Sequence, residues 1–297
     1  MVITAKDVRL HLIKRYSQNP IITRDQVLPS RADFEVTGVF NPGAAVRNGK
    51  VMLLLRVSER PLKRQKGYLS YAEYDPENRS VAVRRLDLGK KGVDTSDARL
   101  VRAGGRTYLT SISHLRLAES RDGIHFTVSR SPAIAPSDAY EAFGTEDARI
   151  TQVGKRYLIT YSAVSSGGVA VAVSSTEDFQ TYRKLGIAFP PDNKDTVVFP
   201  QKIGSLYYAL HRPSCSDFAS PEIWMAESPD LIHWGRHRFI AGVRDGMWDC
   251  TRIGAGAPPF LTEKGWVELY HGASENSRYC MGAMLLQKDK PWNVLAR

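Results

Sequence analysis

Short apolar runs that open on a glycine and end on polar or aromatic residues recur along the chain. They are GKVMLLLRV from Gly49, GRTYLTSIS from Gly105, GKRYLITYS from Gly154, GSLYYALHR from Gly204 and GWVELYHG from Gly265. Each has the length and the β-branched and aromatic content of a strand, with the glycine or its predecessor supplying a hairpin turn. A first strand precedes each glycine: NPGAAV at 41–46, DARLV at 97–101, DARITQV at 147–153, TVVFPQKI at 196–203 and GAPPFLT at 256–262. A further strand follows, ending in a turn of recurring form: SRDGIHF at 120–126, STEDFQTY at 175–182 and SPDLIHW at 228–234. The aspartates of these turns read as structural, since Asp bonds the backbone just ahead of it.

Four short strands per unit and an interval of about 50 residues fit propeller blades, whereas solenoid repeats are shorter or helical. The pattern predicts an all-β fold, a five-bladed β-propeller, with residues 1–297 forming one domain. No long amphipathic helix is expected. The stretch from Ala5 to Ser17 with Pro20 and the following residues reads as an extended lead-in.

In a propeller the inner strands surround one axis and ligands bind at one mouth of the channel. The starts of the inner strands carry Asn41, Asp97 and Asp147, with Asp195 just before the fourth and Arg252 before the fifth. The far ends of the paired strands carry Arg56, Ser113 with His114, Tyr161, His211 with Arg212, and His271. Asp97 and Asp147 each stand two residues before an arginine, Arg99 or Arg149, an arrangement that suits a structural ion pair as well as a site. His211 and His271 in equivalent register, with Arg212 and Arg252 near, suggest an anion site.

Composition narrows the classes. Lys and Arg number 41 against 31 Asp and Glu, a formal net charge of +10, but the basic residues are spread along the chain and the densest cluster, Lys63, Arg64 and Lys66, is short. Nucleic acid is disfavoured as a partner, and anionic substrates or a basic surface fit better. No apolar run is long enough to span a membrane, and the N-terminus has charges where a signal peptide is apolar. The three cysteines, Cys215, Cys250 and Cys280, have neither disulfide-framework nor zinc-site spacing, which points to a reducing, cytoplasmic setting. No metal-ligand spacing, P-loop or GxSxG motif occurs, and GAGAPPF at 254–260 lacks the helix a dinucleotide site needs, so no cofactor is expected.

Several segments together resemble glycoside hydrolase family 130: FNPGAAV, GTEDARIT at 144–151, DNKDTVVFPQKI at 192–203, ALHRP at 209–213, SPEIWMAESPDLIHWG at 220–235, WDCTRIGAGAPP at 248–259 and GWVELYHG at 265–272. The likeness runs over nearly the whole chain in matching order. It implies a five-bladed propeller acting on β-mannosides with inversion, most members being phosphorylases in which phosphate attacks the anomeric carbon and mannose 1-phosphate leaves. The family's general acid falls on Asp147, protonating the leaving oxygen through a sugar hydroxyl, and Ala148 replaces the usual proline beside it. The family's phosphate ligands match Lys194, Arg252 and His271. Asn41, Arg56, Asp97, Arg149, Tyr161, His211 and Arg212 then surround the mannosyl subsite. Partners would be a β-mannoside oligosaccharide and inorganic phosphate as co-substrate, with a homo-oligomer as an open option.

Two departures bear on this. Glu268 stands where phosphorylases carry an apolar residue, and Asp195 where asparagine is common, so an inverting β-1,2-mannosidase with Glu268 as base is the alternative. Glu222 and Glu227 are further carboxylates, Glu227 reading as structural. Strand alternation places Glu268 with Tyr270 opposite His271, unless a bulge intervenes. The family also continues beyond the segment matching DKPWNVLAR while this chain stops at Arg297: either the sequence is truncated, or the ring closes differently with help from the N-terminal segment. A non-catalytic sugar-binding propeller is a third reading. Relatives of invertase fit less well because their NDPN-type opening is absent.

Overall fold

A computed structural model describes residues 16–63, 65–214 and 218–297. Cys215, Arg64 and most of the expected lead-in from Ala5 lie outside the described residues. The repeated glycines do what the pattern requires. Between β1 (Phe34–Arg47) and β2 (Lys50–Pro61) the turn residues Asn48 and Gly49 have φ of +49° and +73°, and Arg47 pairs with Lys50 across them. Positive φ at both central residues is the turn whose twist matches antiparallel strands, and Asn-Gly is its preferred sequence.

The fold is all-β. One eight-stranded sheet runs in the order β1, β2, β7 (Ile112–Ser120), β9 (Gly144–Val153), β10 (Arg156–Ser165), β11 (Gly168–Thr176) and β12 (Arg183–Phe189), with β8 (Thr127–Val128) paired to β7. Its two halves join only through a parallel pairing of Ser113 with Gly144. A four-stranded meander follows: β13 (Asn193–Val198), β14 (Tyr207–Pro213), β15 (Ile223–Ser228) and β16 (Gly235–Ala241). The last sheet holds β17 (Arg252–Ala255), β18 (Phe260–Thr262), β19 (Gly265–Ala273), β20 (Tyr279–Leu286) and β21 (Val294–Ala296). No sheet closes on itself among the described residues.

The second repeat departs from expectation. The run from Gly105 breaks into β6 (Arg106–Leu109) and β7, and β7 pairs with β2 rather than with the strand before the glycine. The hairpins of β3 (Tyr68–Asp75) with β4 (Ser80–Asp87), and of β5 (Leu100–Ala103) with β6, are inserted between β2 and β7 as separate two-stranded sheets. The fourth inner strand begins at Asn193 rather than at 196, which brings Lys194 and Asp195 inside it.

The outer turns behave as read. Ser120, Thr176 and Ser228 each accept a hydrogen bond from the amide three residues on, at 2.9, 2.8 and 2.8 Å. Asp122, Asp178 and Asp230 accept the next amides at 2.8 to 2.9 Å. These aspartates are used up by their own turns.

Burial is concentrated in seams where neighbouring sheets meet. Leu54, Leu115, Ile150 and Ile159 fill one seam, Leu158, Val173, Phe189 and Leu231 a second, and Phe199, Leu210, Met225, Trp266 and Leu286 a third. Phe199 meets Trp266 edge-on at 5.1 Å between ring centres, so one aromatic contact joins the four-stranded and last sheets. Phe199→Ala is expected to cost about 3–5 kcal/mol, the range for a buried aromatic removed from a close-packed core. Urea denaturation checks this, and a loss below about 1 kcal/mol would show that the seam does not bear on stability.

Candidate active site

Three inner strands share an irregularity that the alternation pattern does not reveal. The β1–β2 register shifts between Phe40 and Gly43, β9–β10 slips between Thr160 and Ser162, and β13–β14 slips between Lys194 and Val197. In or beside each shift sits a polar residue with left-handed backbone: Asn41 at φ +46°, Asp147 at +52° and Asp195 at +53°. Asn and Asp tolerate this region better than other side chains, and a bulge re-aims the side chain out of the pleat. The residues therefore lie within strands, not at their starts as the sequence pattern had suggested. All three line one cavity of about 610 Å³.

At one end of the cavity, Asp147 Oδ1 accepts hydrogen bonds from Asn41 Nδ2 and Arg56 Nη1, both at 3.1 Å. Arg56 extends its other arm to Glu146 Oε1 at 2.7 Å, and Ser113 Oγ donates to the same oxygen at 3.1 Å. The guanidinium lies 4.6 Å over the Phe40 ring, which leaves its edges to the two carboxylates. Burial, and to a lesser degree the Asp147 charge, push the Glu146 carboxyl up; Arg56, Ser113 and Lys194 pull the other way.

Across the cavity, Asp195 is the hub of a cationic cluster. Its carboxylate lies 2.7 Å from Arg212 Nη1, 3.2 Å from His271 Nε2 and 3.8 Å from Arg149 Nη2. Burial works against its charge, but Arg212, His271 and Arg149 together outweigh it and hold the carboxyl well below the usual carboxylate range. Gly254 makes room for the pair, because a Cβ there would stand 2.4 Å from Asp195 Oδ2 and 2.8 Å from His271 Cε1. Lys194 lines the cavity beside this cluster. Cations converge on one end and a carboxylate held by Arg56 on the other, an arrangement suited to an anion facing a hydroxyl-rich ligand. Among the described residues no group of His, Cys, Asp and Glu is placed to hold a metal ion.

Of the residues expected at the site, Asn41, Asp147, Arg149, Lys194, Arg212 and His271 line the cavity, and Arg56 reaches it through Asp147. Others are placed elsewhere. Asp97 is bound to Arg99 at 2.7 Å in the loop before β5 and accepts its backbone amide, so it serves its own turn. Tyr161 is buried in the first seam, its hydroxyl donating to Glu141 at 2.7 Å. His211, next to Arg212, necessarily faces the other way on β14; it stacks on Phe189 at 4.5 Å and bonds to Asn193 and His237. Burial, reinforced by His237, pushes its imidazole down to about 3. Arg252 is exposed at the start of β17, outside the cavity lining.

Glu268 is fully buried on the face of β19 opposite His271, as alternation requires, and accepts the Gly256 amide at 3.1 Å. Burial, only partly offset by the Gly256 amide and the Arg149 charge, pushes its carboxyl well above the usual range, which disfavours the ionised form a base needs. Glu227 is paired with Arg236 and Arg238, and Glu222 accepts the Val243 amide at 3.1 Å. Tyr279 and Met281, alternate residues of β20, line the cavity without having been anticipated. Their only signal is an exposed aromatic and thioether in a strand that pattern reading treats as framework.

A family model described as beta-1,4-mannooligosaccharide phosphorylase matches residues 96–297. The beta-1,2-mannobiose phosphorylase of Listeria innocua serovar 6a is 45% identical over 289 residues, covering 96% of this chain and 81% of that protein. A solved complex of the Listeria innocua enzyme with beta-1,2-mannobiose superposes with a TM-score of 0.91 at 44% identity, over 95% of this chain and 81% of the other. The 1,2-beta-oligomannan phosphorylase of Thermoanaerobacter sp. (strain X514) is 33% identical over 189 residues, covering 63% of this chain and 62% of that protein. With the family model spanning more than half of the chain and a 45% identical relative spanning nearly all of it, the chain belongs to glycoside hydrolase family 130.

Proposed function

We propose that this chain is an inverting β-mannoside phosphorylase, with a β-1,2-linked mannoside as substrate. The observation that carries the reading is the cationic cluster around Asp195 facing Asp147 across one cavity. Phosphate docks against Lys194, Arg149, Arg212 and His271, where charge-assisted donors bind a dianion and fix its direction of approach. Arg149 and Arg212 thereby take the place given to the exposed Arg252. A phosphate oxygen bonds to the anomeric carbon as the glycosidic bond breaks. The proton held by Asp147 goes to the leaving oxygen, by way of a sugar hydroxyl as the family resemblance implies. Asn41 and Arg56 orient that carboxyl. The products are α-mannose 1-phosphate and the shortened sugar.

Hydrolysis would require a carboxylate that activates water. Asp195 is committed to Arg212, Arg149 and His271, contacts that lower its basicity, and Glu268 is buried outside the cavity lining. The architecture we propose is a five-bladed propeller, in which the two inserted hairpins between β2 and β7 make up one blade. It is supported by the recurring turn, strand and bulge pattern. Phosphate is the only co-substrate in this reading. A cytoplasmic setting is proposed from the unpaired Cys250 and Cys280. No helix among the described residues is long and apolar enough to cross a membrane.

Incubation with β-1,2-mannobiose is expected to yield mannose 1-phosphate strictly in the presence of phosphate. Asp147→Asn should lower kcat by about 10²–10⁴, the usual contribution of a general acid. Free mannose produced as fast without phosphate, or wild-type turnover by the variant, would sink the reading.

Glu268→Gln separates the two chemistries. It should leave phosphorolysis within about twofold of wild type, since Glu268 lies outside the cavity lining and Gln keeps its shape and its acceptor for the Gly256 amide. Burial raises the folded-state value of Glu268 above its unfolded one, so its contribution to stability is full at low pH and is lost as pH rises through the raised value. The variant should lack that loss in melts recorded from the ordinary carboxylate range upward in pH. A collapse of turnover in Glu268→Gln would return the role of base to this residue.

A further inference from the structure

Glu146 stands beside the acid and has no assigned role. Its side chain is 13% exposed, against 20% for both Asp147 and Arg56, and it is bound by Arg56 and Ser113. A carboxyl this secluded is not placed to touch the sugar, and nothing in strand packing requires a charge there. Ser162, its partner on β10, is small and neutral. What Glu146 does share with Asp147 is a cation: one guanidinium spans both carboxylates, Nη1 on Asp147 at 3.1 Å and Nη2 on Glu146 at 2.7 Å.

That sharing bears on the chemistry. A general acid must hold a proton when the leaving oxygen departs, and an arginine bonded to it favours the opposite state. Taken alone, the Arg56 contact favours the ionised carboxylate and opposes the role of acid. A second carboxylate on the same guanidinium reverses this. With one proton between them, the pair and Arg56 are together neutral, and removal of that proton places two negative charges beside one positive.

Resting on the phosphorylase reading, we propose that Glu146 is the positioning residue that keeps Asp147 protonated, by neutralising Arg56 and sharing one proton with the acid. The other groups facing the pair are Asn41 from β1, Ser113 from β7, Arg149 on β9 itself, and Lys194 with Asp195 from β13. Arg149 spends one arm on the Asp147 and Ala148 carbonyls and leans toward Asp195, which offsets its charge. Lys194 acts on Glu146 only as a lesser influence, behind burial, Arg56, Asp147 and Ser113.

The test is the pH profile of kcat/KM for phosphorolysis of β-1,2-mannobiose at saturating phosphate. Glu146→Gln keeps an acceptor for Arg56 and Ser113 but removes the charge. The alkaline limb should move acidward by at least about one pH unit, a fall in kcat/KM of about tenfold on the alkaline side. Glu146→Asp, which restores the charge, should return the limb toward wild type. A limb that stays in place in Glu146→Gln overturns the proposal.

Carboxyl carbon NMR gives a reading independent of how well that variant folds. In the wild-type protein both carboxyls should titrate in two linked steps, and in Asp147→Asn Glu146 should titrate in one. Single independent steps in the wild type also overturn the proposal. Failure of the underlying reading has a different signature, because Asp147→Asn would then retain turnover.

Discussion

The site depends on a backbone constraint repeated on three strands. Asn41, Asp147 and Asp195 occupy left-handed φ at or beside register slips, a conformation that costs a non-glycine residue of order 1–3 kcal/mol and survives only where flanking structure over-determines it. The flanking structure here is antiparallel pairing on both sides of each slip, anchored in the seams by residues such as Leu54, Ile159 and Leu210. Straight strands would alternate these side chains between two faces. The bulges instead turn all three toward one cavity, and they place one amide and two carboxylates where cations from neighbouring strands can reach them.

The charges then arrange themselves around two anchors. Arg56 brings together Asp147 and Glu146, while Asp195 brings together Arg212, His271 and Arg149. Without a buried carboxylate, two guanidinium groups in one small space would repel one another and His271 would lose its partner. Asp195 holds them in place before an anion arrives, so little reorganisation is left for the moment of reaction. This accounts for an acidic residue at the centre of a pocket read as an anion site, a combination that from sequence alone looked like a mark against phosphate. Glu268 is kept away from water by burial.

Much of this was legible in the chain. The glycine turns, the Ser/Thr-x-Asp outer turns and the all-β class follow from local rules about which residues accept positive φ or bond their own backbone. Asn41, Asp147, Lys194 and His271 were found because motifs in order along the chain mark them. What failed were inferences of facing. His211 and Arg212 are neighbours in one strand and cannot both point into a cavity, so one of them, His211, packs against Phe189. Tyr161 is passed over at the β9–β10 slip and turns into the seam toward Glu141. Bulges leave no periodic trace, since one extra residue looks like any other, and the break between β6 and β7 was hidden inside an apparently continuous apolar run. Tyr279 and Met281 meet the cavity only through tertiary packing.

The central claim is that an anion held by Lys194, Arg149, Arg212 and His271 attacks the sugar from the side opposite the leaving group, with Asp147 as acid. Its most direct test is the anomeric configuration of the first-formed product, followed by phosphorus and proton NMR during the first turnovers on β-1,2-mannobiose. The account predicts the α-anomer of mannose 1-phosphate at the earliest times. A β-anomer, or mannose appearing ahead of any phosphate ester, would contradict it.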